Sequence, residues 1–358
     1  MENDRVVITI VEKPDEVFMD MACDLLQRGE LVAFPTETVY GLGGDALNPE
    51  SSERIYSAKG RPSDNPLIVH IADMDAVEKL ATEVPDKARA CMEAFWPGPL
   101  TVILPKKDIV PDETTGGLKT VAIRMPSHPV AMELIKKSGV YIAAPSANLS
   151  GRPSPTTAQH VYEDMQGRIE LILDGGPVGI GIESTIVDFT GDTPTILRPG
   201  FITPEMLSEI IGPVEIDPAI VKPDKNLRPK APGMKYTHYA PKGELVVVEA
   251  DDPSADDADK STVTDAVVDK INSLLEEHPG AVVLTTKENA DRYNTDKILL
   301  LGEHGDGPTV AARLYSVLRE CDDMEAEFII SESFDRDDYG GAIMNRLLRA
   351  AGQRVIKA

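Results

Sequence analysis

Four short apolar runs in this chain each stop at a proline with a polar neighbour: Phe34-Pro35-Thr36, Arg124-Met125-Pro126-Ser127, Ala144-Pro145-Ser146 and Leu197-Arg198-Pro199. Proline has no N–H to give a ladder and fixes φ, so each run is a strand that ends there and delivers a polar residue at its end. Strands of this kind, separated by stretches of helical periodicity, have to share a sheet with helices packed against it. In open α/β sheets ligands gather beyond strand ends. If these four ends meet, Thr36, Thr38, Arg124, Ser146, Asn148 and Arg198 converge.

The periodicity fills in the rest of the first two-thirds. It predicts further strands at Val6–Val11, Leu67–Ile71, Leu100–Leu104, Leu171–Leu173 and Thr185–Phe189. Helices are expected over Asp15–Arg28, Ser51–Lys59, Asp73–Ala81, Asp86–Phe95, Pro129–Lys137, Thr157–Met165 and Pro204–Ile211. Ser51 or Ser52 would cap the second of these, and Gly60 would stop it. The pattern is α/β with a large mixed sheet. Ile216–Gly243, with Pro218, Pro223, Pro229, Pro232 and Pro241, breaks it and reads as an extended linker. That linker also holds Arg228, Lys230, Lys235, Tyr236 and Tyr239, which suits lying on something anionic better than passive tethering. Beyond it, strands at Leu245–Glu249, Ala281–Thr285, Lys297–Leu301 and Glu327–Ser331 alternate with helices at Val263–Glu276, Val310–Cys321 and Ala342–Ala351, a small doubly wound unit without a GxGxxG or P-loop. The expected division is 1–212, a linker over 213–243, and 244–358.

Composition removes several classes of function. The 358 residues carry a formal net charge of -24, with 42% hydrophobic and 27% charged side chains. No apolar run approaches the ~20 residues of a membrane span, and Met1-Glu2-Asn3-Asp4-Arg5 lacks the layout of a signal peptide. Cys23, Cys91 and Cys321 have no CxxC spacing, so reduced thiols in a cytoplasm are expected. The six histidines show no metal-ligand spacing, and no metal site is expected. The acidity opposes a phosphate backbone, so direct tRNA binding is not expected. No GxSxG elbow, Cys-His pair or kinase motif appears, which leaves covalent catalysis unsupported.

Against that acidity one loop stands out: Lys59-Gly60-Arg61-Pro62-Ser63-Asp64-Asn65-Pro66-Leu67-Ile68-Val69-His70. Gly60, Pro62 and Pro66 stiffen the backbone that presents its cations. In the strand Thr120-Val121-Ala122-Ile123-Arg124, alternation puts Thr120, Ala122 and Arg124 on one face, a poor core and a good pocket wall. Arginine suits bidentate capture of a carboxylate, although pairing with a neighbouring acid reads equally well from the sequence. His70, in step with Ile68, reads by itself as a core histidine. Gly41-Leu42-Gly43-Gly44 reads as close backbone packing rather than a phosphate loop.

Together these segments resemble a known family. Phe34-Pro35-Thr36-Glu37-Thr38-Val39-Tyr40-Gly41-Leu42, Lys59-Gly60-Arg61, Phe95-Trp96-Pro97-Gly98-Pro99-Leu100-Thr101, Ser146-Ala147-Asn148 and Glu183-Ser184-Thr185-Ile186-Val187-Asp188 resemble the YrdC-type threonylcarbamoyl-AMP synthases, over roughly residues 5–212. The remainder is similar to the longer, two-domain Sua-type members. The resemblance implies a twisted mixed sheet around a central cavity, followed by a smaller Rossmann-like domain. It implies a nucleotidyltransferase that makes L-threonylcarbamoyladenylate and pyrophosphate from L-threonine, bicarbonate and ATP with Mg2+, for tRNA modification next to the anticodon. A downstream transferase, of KEOPS type in archaea and eukaryotes, would take the product.

Carried onto this sequence, the family's threonine pocket falls on Thr38, His70, Arg124, Ala144 (main chain) and Ser184. Its ATP contacts fall on Lys59, Arg61, Asn65, Thr120, Ser146, Asn148, Ser154 and Arg198. Lys59, Arg61, Ser146 and Asn148 are the expected catalytic set. Tyr236 is the linker tyrosine expected at the nucleotide, with Tyr239 as the alternative. The linker would act as a lid that excludes water from an unstable carbamate. Two rivals are set aside on sequence grounds. A duplex-RNA module conflicts with the charge, and a hydrogenase-maturation carbamoyltransferase would bring zinc-finger CxxC pairs that are absent here.

Overall fold

A computed structural model describes residues 7–220, 229–232, 238–251, 263–334 and 339–358. The chain divides into two compact units, Met1–Ser150 with Ser154–Tyr236, and Gly151–Pro153 with Thr237–Ala358.

In chain order the first unit contains strands β1 (Ile10–Glu12), β2 (Val32–Phe34), β3 (Gly41–Asp45), β4 (Ile68–His70), β5 (Leu100–Pro105), β6 (Thr120–Arg124), β7 (Ile142–Ala143), β8 (Leu171–Leu173), β9 (Thr185–Asp188), β10 (Thr195–Arg198) and β11 (Glu215–Ile216). Its helices are α1 (Glu16–Gln27), α2 (Pro49–Lys59), α3 (Asp75–Leu80), α4 (Asp86–Phe95), α5 (Pro129–Ser138), α6 (Ala158–Met165) and α7 (Pro204–Ile211). The strands form one mixed sheet in the order β1-β8-β2-β3-β7-β4-β6-β5-β9-β10-β11.

Alternation decides what each face of the sheet's middle meets. Val69, Val102, Val121 and Ile123 are buried with Ile55 of α2, Met92 of α4 and Leu207 of α7. Each such side chain contributes about 1.5–3 kcal/mol by leaving water. Ile68, Ile103 and Ala122, one residue out of step, form a separate buried cluster with Ile186, Leu197 and Ala231. That second face carries the site.

Several local expectations are revised. Helix α2 begins at Pro49, and Asn48 caps it by accepting from the Glu50 N–H at 3.0 Å. Ser51 and Ser52 are instead buried, bonding Gly29 O and the Thr114 hydroxyl. The Gly41–Asp45 stretch is strand β3, squeezed between neighbours. A Cβ on Gly43 would lie 2.6 Å from Ile142 Cγ2 and 2.7 Å from Phe34 Cε1. Gly43→Ala should therefore destabilise the fold by about 1–3 kcal/mol, read as a lower urea midpoint; an unchanged midpoint would show that the neighbours yield freely.

The four proline-ended strands do not all finish at one end of the sheet. The pairings make β2 parallel to β7 and β6 parallel to β10, with β7 antiparallel to β4 and hence to β6. Pro35 and Pro145 thus terminate strands that run opposite to those ended by Pro126 and Pro199. The loop after Phe34 reaches across, where Thr38 and Glu37 accept from Arg124, while Ser146 and Asn148, after Ala144, meet Lys59 instead.

The second unit holds β12 (Glu244–Glu249), α8 (Asp265–Glu277), β13 (Val282–Thr286), β14 (Ile298–Gly302), α9 (Gly307–Asp323), β15 (Phe328–Glu332), α10 (Gly340–Ala350) and β16 (Val355–Lys357). All pairings are parallel, in the order β14-β13-β15-β12-β16. Strand β16 has no forecast in the sequence, and α9 starts earlier than Val310, capped by Asp306.

Candidate active site

At one pole of the site is Lys59, the last residue of α2. Gly60 ends the helix in the left-handed conformation at φ 62°, turning the chain so that the preceding side chain points inward. Lys59 is 2% exposed. Its ammonium donates to the carbonyl oxygens of Ser146 and Asn148 and to Asn148 Oδ1 at 3.4 Å. The Ser146 hydroxyl donates to Asn148 Oδ1 at 2.5 Å, and the Ser150 N–H to the Lys59 carbonyl at 2.9 Å. The Lys-x-Arg and Ser-x-Asn segments are therefore one interlocked turn.

Arg61 braces the same loop, donating from Nε to Asn65 O at 3.2 Å and from Nη2 to Pro66 O at 3.0 Å. Asn65 is 1% exposed, and its side-chain oxygen finds no hydrogen-bond donor among the described residues. A buried unsatisfied acceptor costs about 1–3 kcal/mol, so a ligand donor is the economical partner.

The other pole is a row across five strands. His70 pairs with Arg124, Arg124 with Thr101, Thr101 with Ile186 and Ile186 with Arg198. Residues paired in this way share a face. The Thr101 and Ser184 hydroxyls lie 2.7 Å apart, and Arg198 donates to Ser184 from Nη2 (to Oγ, 3.1 Å) and Nε (to O, 3.0 Å). Arg124 is 4% exposed. It donates from Nε to Gly98 O at 3.4 Å, from Nη1 to Thr38 Oγ1 at 3.0 Å and from Nη2 to Glu37 Oε1 at 2.6 Å. Among the described residues three of its five N–H groups are so used, which leaves one on each terminal nitrogen for a ligand.

Of the two alternatives left open for Arg124, the pairing with a neighbouring acid is present, in Glu37. Burial pushes the Glu37 carboxyl up, but the charge and hydrogen bond of Arg124 and the Ser127 N–H outweigh it and hold it below the usual range. Neither Glu37 nor Thr101 was singled out from the sequence, where nothing tells which acid faces Arg124.

His70 is fully enclosed. Its Nδ1 lies 3.1 Å from Ile68 O and 3.3 Å from Ile142 O, both acceptors, so Nδ1 carries the proton and Nε2 keeps its lone pair. Burial first, and then the neighbouring Arg124, hold its pKa down to about 3. The folded value lies below the ordinary one, so lowering the pH below about 6.5 favours the unfolded chain, by at most about 1.4 kcal/mol per pH unit. Between pH 6 and pH 5 the parent should therefore lose more stability than a His70→Asn variant, measured by urea unfolding. Equal slopes would show that His70 titrates normally.

Among the other expected residues, Ser154 donates to Glu183 Oε1 at 2.6 Å, and the Ala144 N–H to Ile68 O at 2.9 Å. Thr120 lies at the far end of β6, opposite Pro105. Tyr236 is outside the described residues. Tyr239 belongs to the second unit, where its ring packs on Tyr315 with centroids 5.1 Å apart. Ile142 of β7 lies beside His70, and beyond the end of that strand Ser146 bridges Gly41.

Comparison with known proteins gives this geometry a context. The family model described as Telomere recombination (Sua5/YciO/YrdC) matches residues 24–200, and one described as Threonylcarbamoyl-AMP synthase, C-terminal domain, matches 202–352. The chain is 50% identical over 341 residues to the threonylcarbamoyl-AMP synthase of Bacillus subtilis, covering 94% of this chain and 93% of that one. It is 44% identical to the enzyme of that name from Pyrococcus abyssi, covering 98% and 99%. The crystal structure of P. abyssi Sua5 complexed with L-threonine superposes with a TM-score of 0.88 at 44% identity, covering 99% of both chains.

Proposed function

Because the chain belongs to the threonylcarbamoyl-AMP synthase family, as near-full-length identities of 44% and 50% show, we propose that the two poles seat L-threonine and ATP for synthesis of L-threonylcarbamoyladenylate. The chain is a nucleotidyltransferase-type enzyme of tRNA modification. The observation that carries the assignment of substrates to poles is the terminal N–H pair of buried Arg124, which fits an amino-acid carboxylate.

With its carboxylate on Arg124, threonine keeps its amine free. The lone pair of His70 Nε2 would accept from the substrate's hydroxyl, beside Thr38 and Ser184, while Ala144 lends main chain. The amine adds to the carbon of CO2, releasing a proton, or to that of bicarbonate, whose C–O bond breaks with loss of water, and forms a carbamate. A carbamate oxygen then attacks the α-phosphorus of ATP as the bond to the pyrophosphate oxygen breaks. Lys59, Arg61 and Arg198 neutralise charge on the phosphate oxygens, and Ser146, Asn148, Ser154 and Thr120 orient the nucleotide. Asn65 Oδ1 would accept from an adenosine N–H or O–H. No side chain becomes a nucleophile.

Mg2+ would travel on the ATP phosphates. Among the described residues no cluster of three or more acidic, histidine or cysteine side chains could cage it, and no step here depends on one. Water exclusion falls to the linker. Ala231, 0% exposed, packs with Ile68, Ile103 and Ala122 on the face that carries the poles. Among the described residues no helix is long and apolar enough to cross a membrane. A cytoplasmic setting, and hand-over of the adenylate to a tRNA threonylcarbamoyl transferase complex, complete the reading.

The test is pyrophosphate release from ATP with each partner omitted in turn. Release should need both threonine and bicarbonate, and should fall to background without either. Equal release without bicarbonate would overturn the reading.

A further inference from the structure

Strand β5 reads Leu-Thr-Val-Ile-Leu-Pro, and Thr101 is its one polar side chain. The strand lies inside the sheet, between β6 and β9, and Thr101 is 0% exposed. Valine would fill nearly the same space, and a buried hydroxyl is a cost unless it finds partners. The register puts Thr101 directly opposite Arg124, on the face that carries the poles.

The Thr101 and Ser184 hydroxyls, 2.7 Å apart, carry two protons, and their mutual contact uses one of them. Arg198 Nη2, 3.1 Å from Ser184 Oγ, takes up a lone pair and not a proton. Among the described residues neither hydroxyl has a further partner, so one buried O–H is left without an acceptor. Thr185 differs. Its hydroxyl donates to Ile202 O at 2.7 Å and accepts from the Ile202 N–H at 3.0 Å, a closed structural pairing.

Charge gives the row of bonds a direction. The guanidinium of Arg198 stands at one end, and at the other, beside Thr101, Arg124 has two N–H groups for a ligand. A hydroxyl that accepts from a cation is the stronger donor, and bonds in a row reinforce one another when their dipoles point one way. Both effects favour Ser184 giving its proton to Thr101, which makes the Thr101 proton the spare one. We propose that Thr101 is a further threonine-binding residue, whose O–H donates to the substrate carboxylate seated on Arg124. The proposal deepens, and rests on, the reading of Arg124 as the carboxylate holder. It also links Arg198, read as a phosphate contact, to the threonine pole through two hydroxyls that lie within the first unit.

The experiment compares full-length parent, Thr101→Val, Thr101→Ser and Thr101→Ala chains. Affinities for threonine and ATP are read by calorimetry, and KM and kcat from pyrophosphate release. Thr101→Val keeps the shape and removes the hydroxyl, so it should weaken threonine about tenfold and raise its KM by a similar factor. The kcat at saturating threonine, and the ATP affinity, should stay within about twofold of the parent. Thr101→Ser restores the hydroxyl and should bring threonine affinity back to within about threefold. Thr101→Ala should lose threonine at least as strongly as Thr101→Val, and keeps the test available should that variant not fold. Unchanged threonine affinity without the hydroxyl, equal weakening of both ligands, or no recovery in Thr101→Ser would overturn the inference alone. A parent chain that binds no threonine would instead overturn the reading of the pole itself, and this inference with it.

Discussion

Replacing Lys59 with methionine is expected to slow pyrophosphate release by about 10²–10³-fold, the usual cost of removing one preorganised electrostatic partner of a transition state. Methionine keeps most of the buried stem, so circular dichroism should be unchanged and threonine affinity should stay within about threefold. The reason is local. The ammonium sits 2% exposed between the carbonyls of Ser146 and Asn148. Its removal takes a cation from the phosphate pole and also frees the turn that carries the Ser-x-Asn pair. A loss smaller than about fivefold would mean that the lysine only shapes the loop.

Arg124→Lys is expected to weaken threonine about 100-fold, or about 2.7 kcal/mol, with ATP affinity within about threefold. Lysine keeps the charge but has three N–H groups on one atom. It cannot meet Gly98, Thr38 and Glu37 as the guanidinium does and still offer two parallel donors to a carboxylate. The buried Glu37 would also lose its partner, and broken pairs of that kind are costly. Calorimetry with each ligand separately is the check, and equal losses for both would show that Arg124 does not mark the threonine pole.

Much of this was legible in the chain before any coordinates. The Lys59-Gly60-Arg61 turn was readable because glycine is the common left-handed stop of a helix, and Gly60 adopts that conformation. The shared face of Thr120, Ala122 and Arg124 followed from strand alternation alone. Where reading failed, a longer-range fact decided. Ser51 and Ser52 look like caps locally, but they are consumed by Gly29 and Thr114, far along the chain. The Gly41–Asp45 strand contains three glycines, which weakens every strand signal, and it is the close approach of Ile142 and Phe34 to Gly43 and of Leu31 and Ser51 to Gly44 that accounts for two of them. Strand direction is invisible in sequence, so the opposed ends at Pro35 and Pro126 looked equivalent. The bonds of Arg152 to Asp322 and of Arg319 to the Pro153 carbonyl span more than 160 residues and have no local signature.

The central claim is that threonine's carboxylate is held at Arg124, so that a carbamate grown on the free amine, and not the carboxylate itself, meets phosphorus. Mass spectrometry of the adenylate formed from ATP, L-threonine and 13C-labelled bicarbonate tests this most directly. The account predicts a single adenylate that carries the labelled carbon and appears one for one with pyrophosphate. An unlabelled threonyl-adenylate, activated through the carboxylate itself, would contradict it.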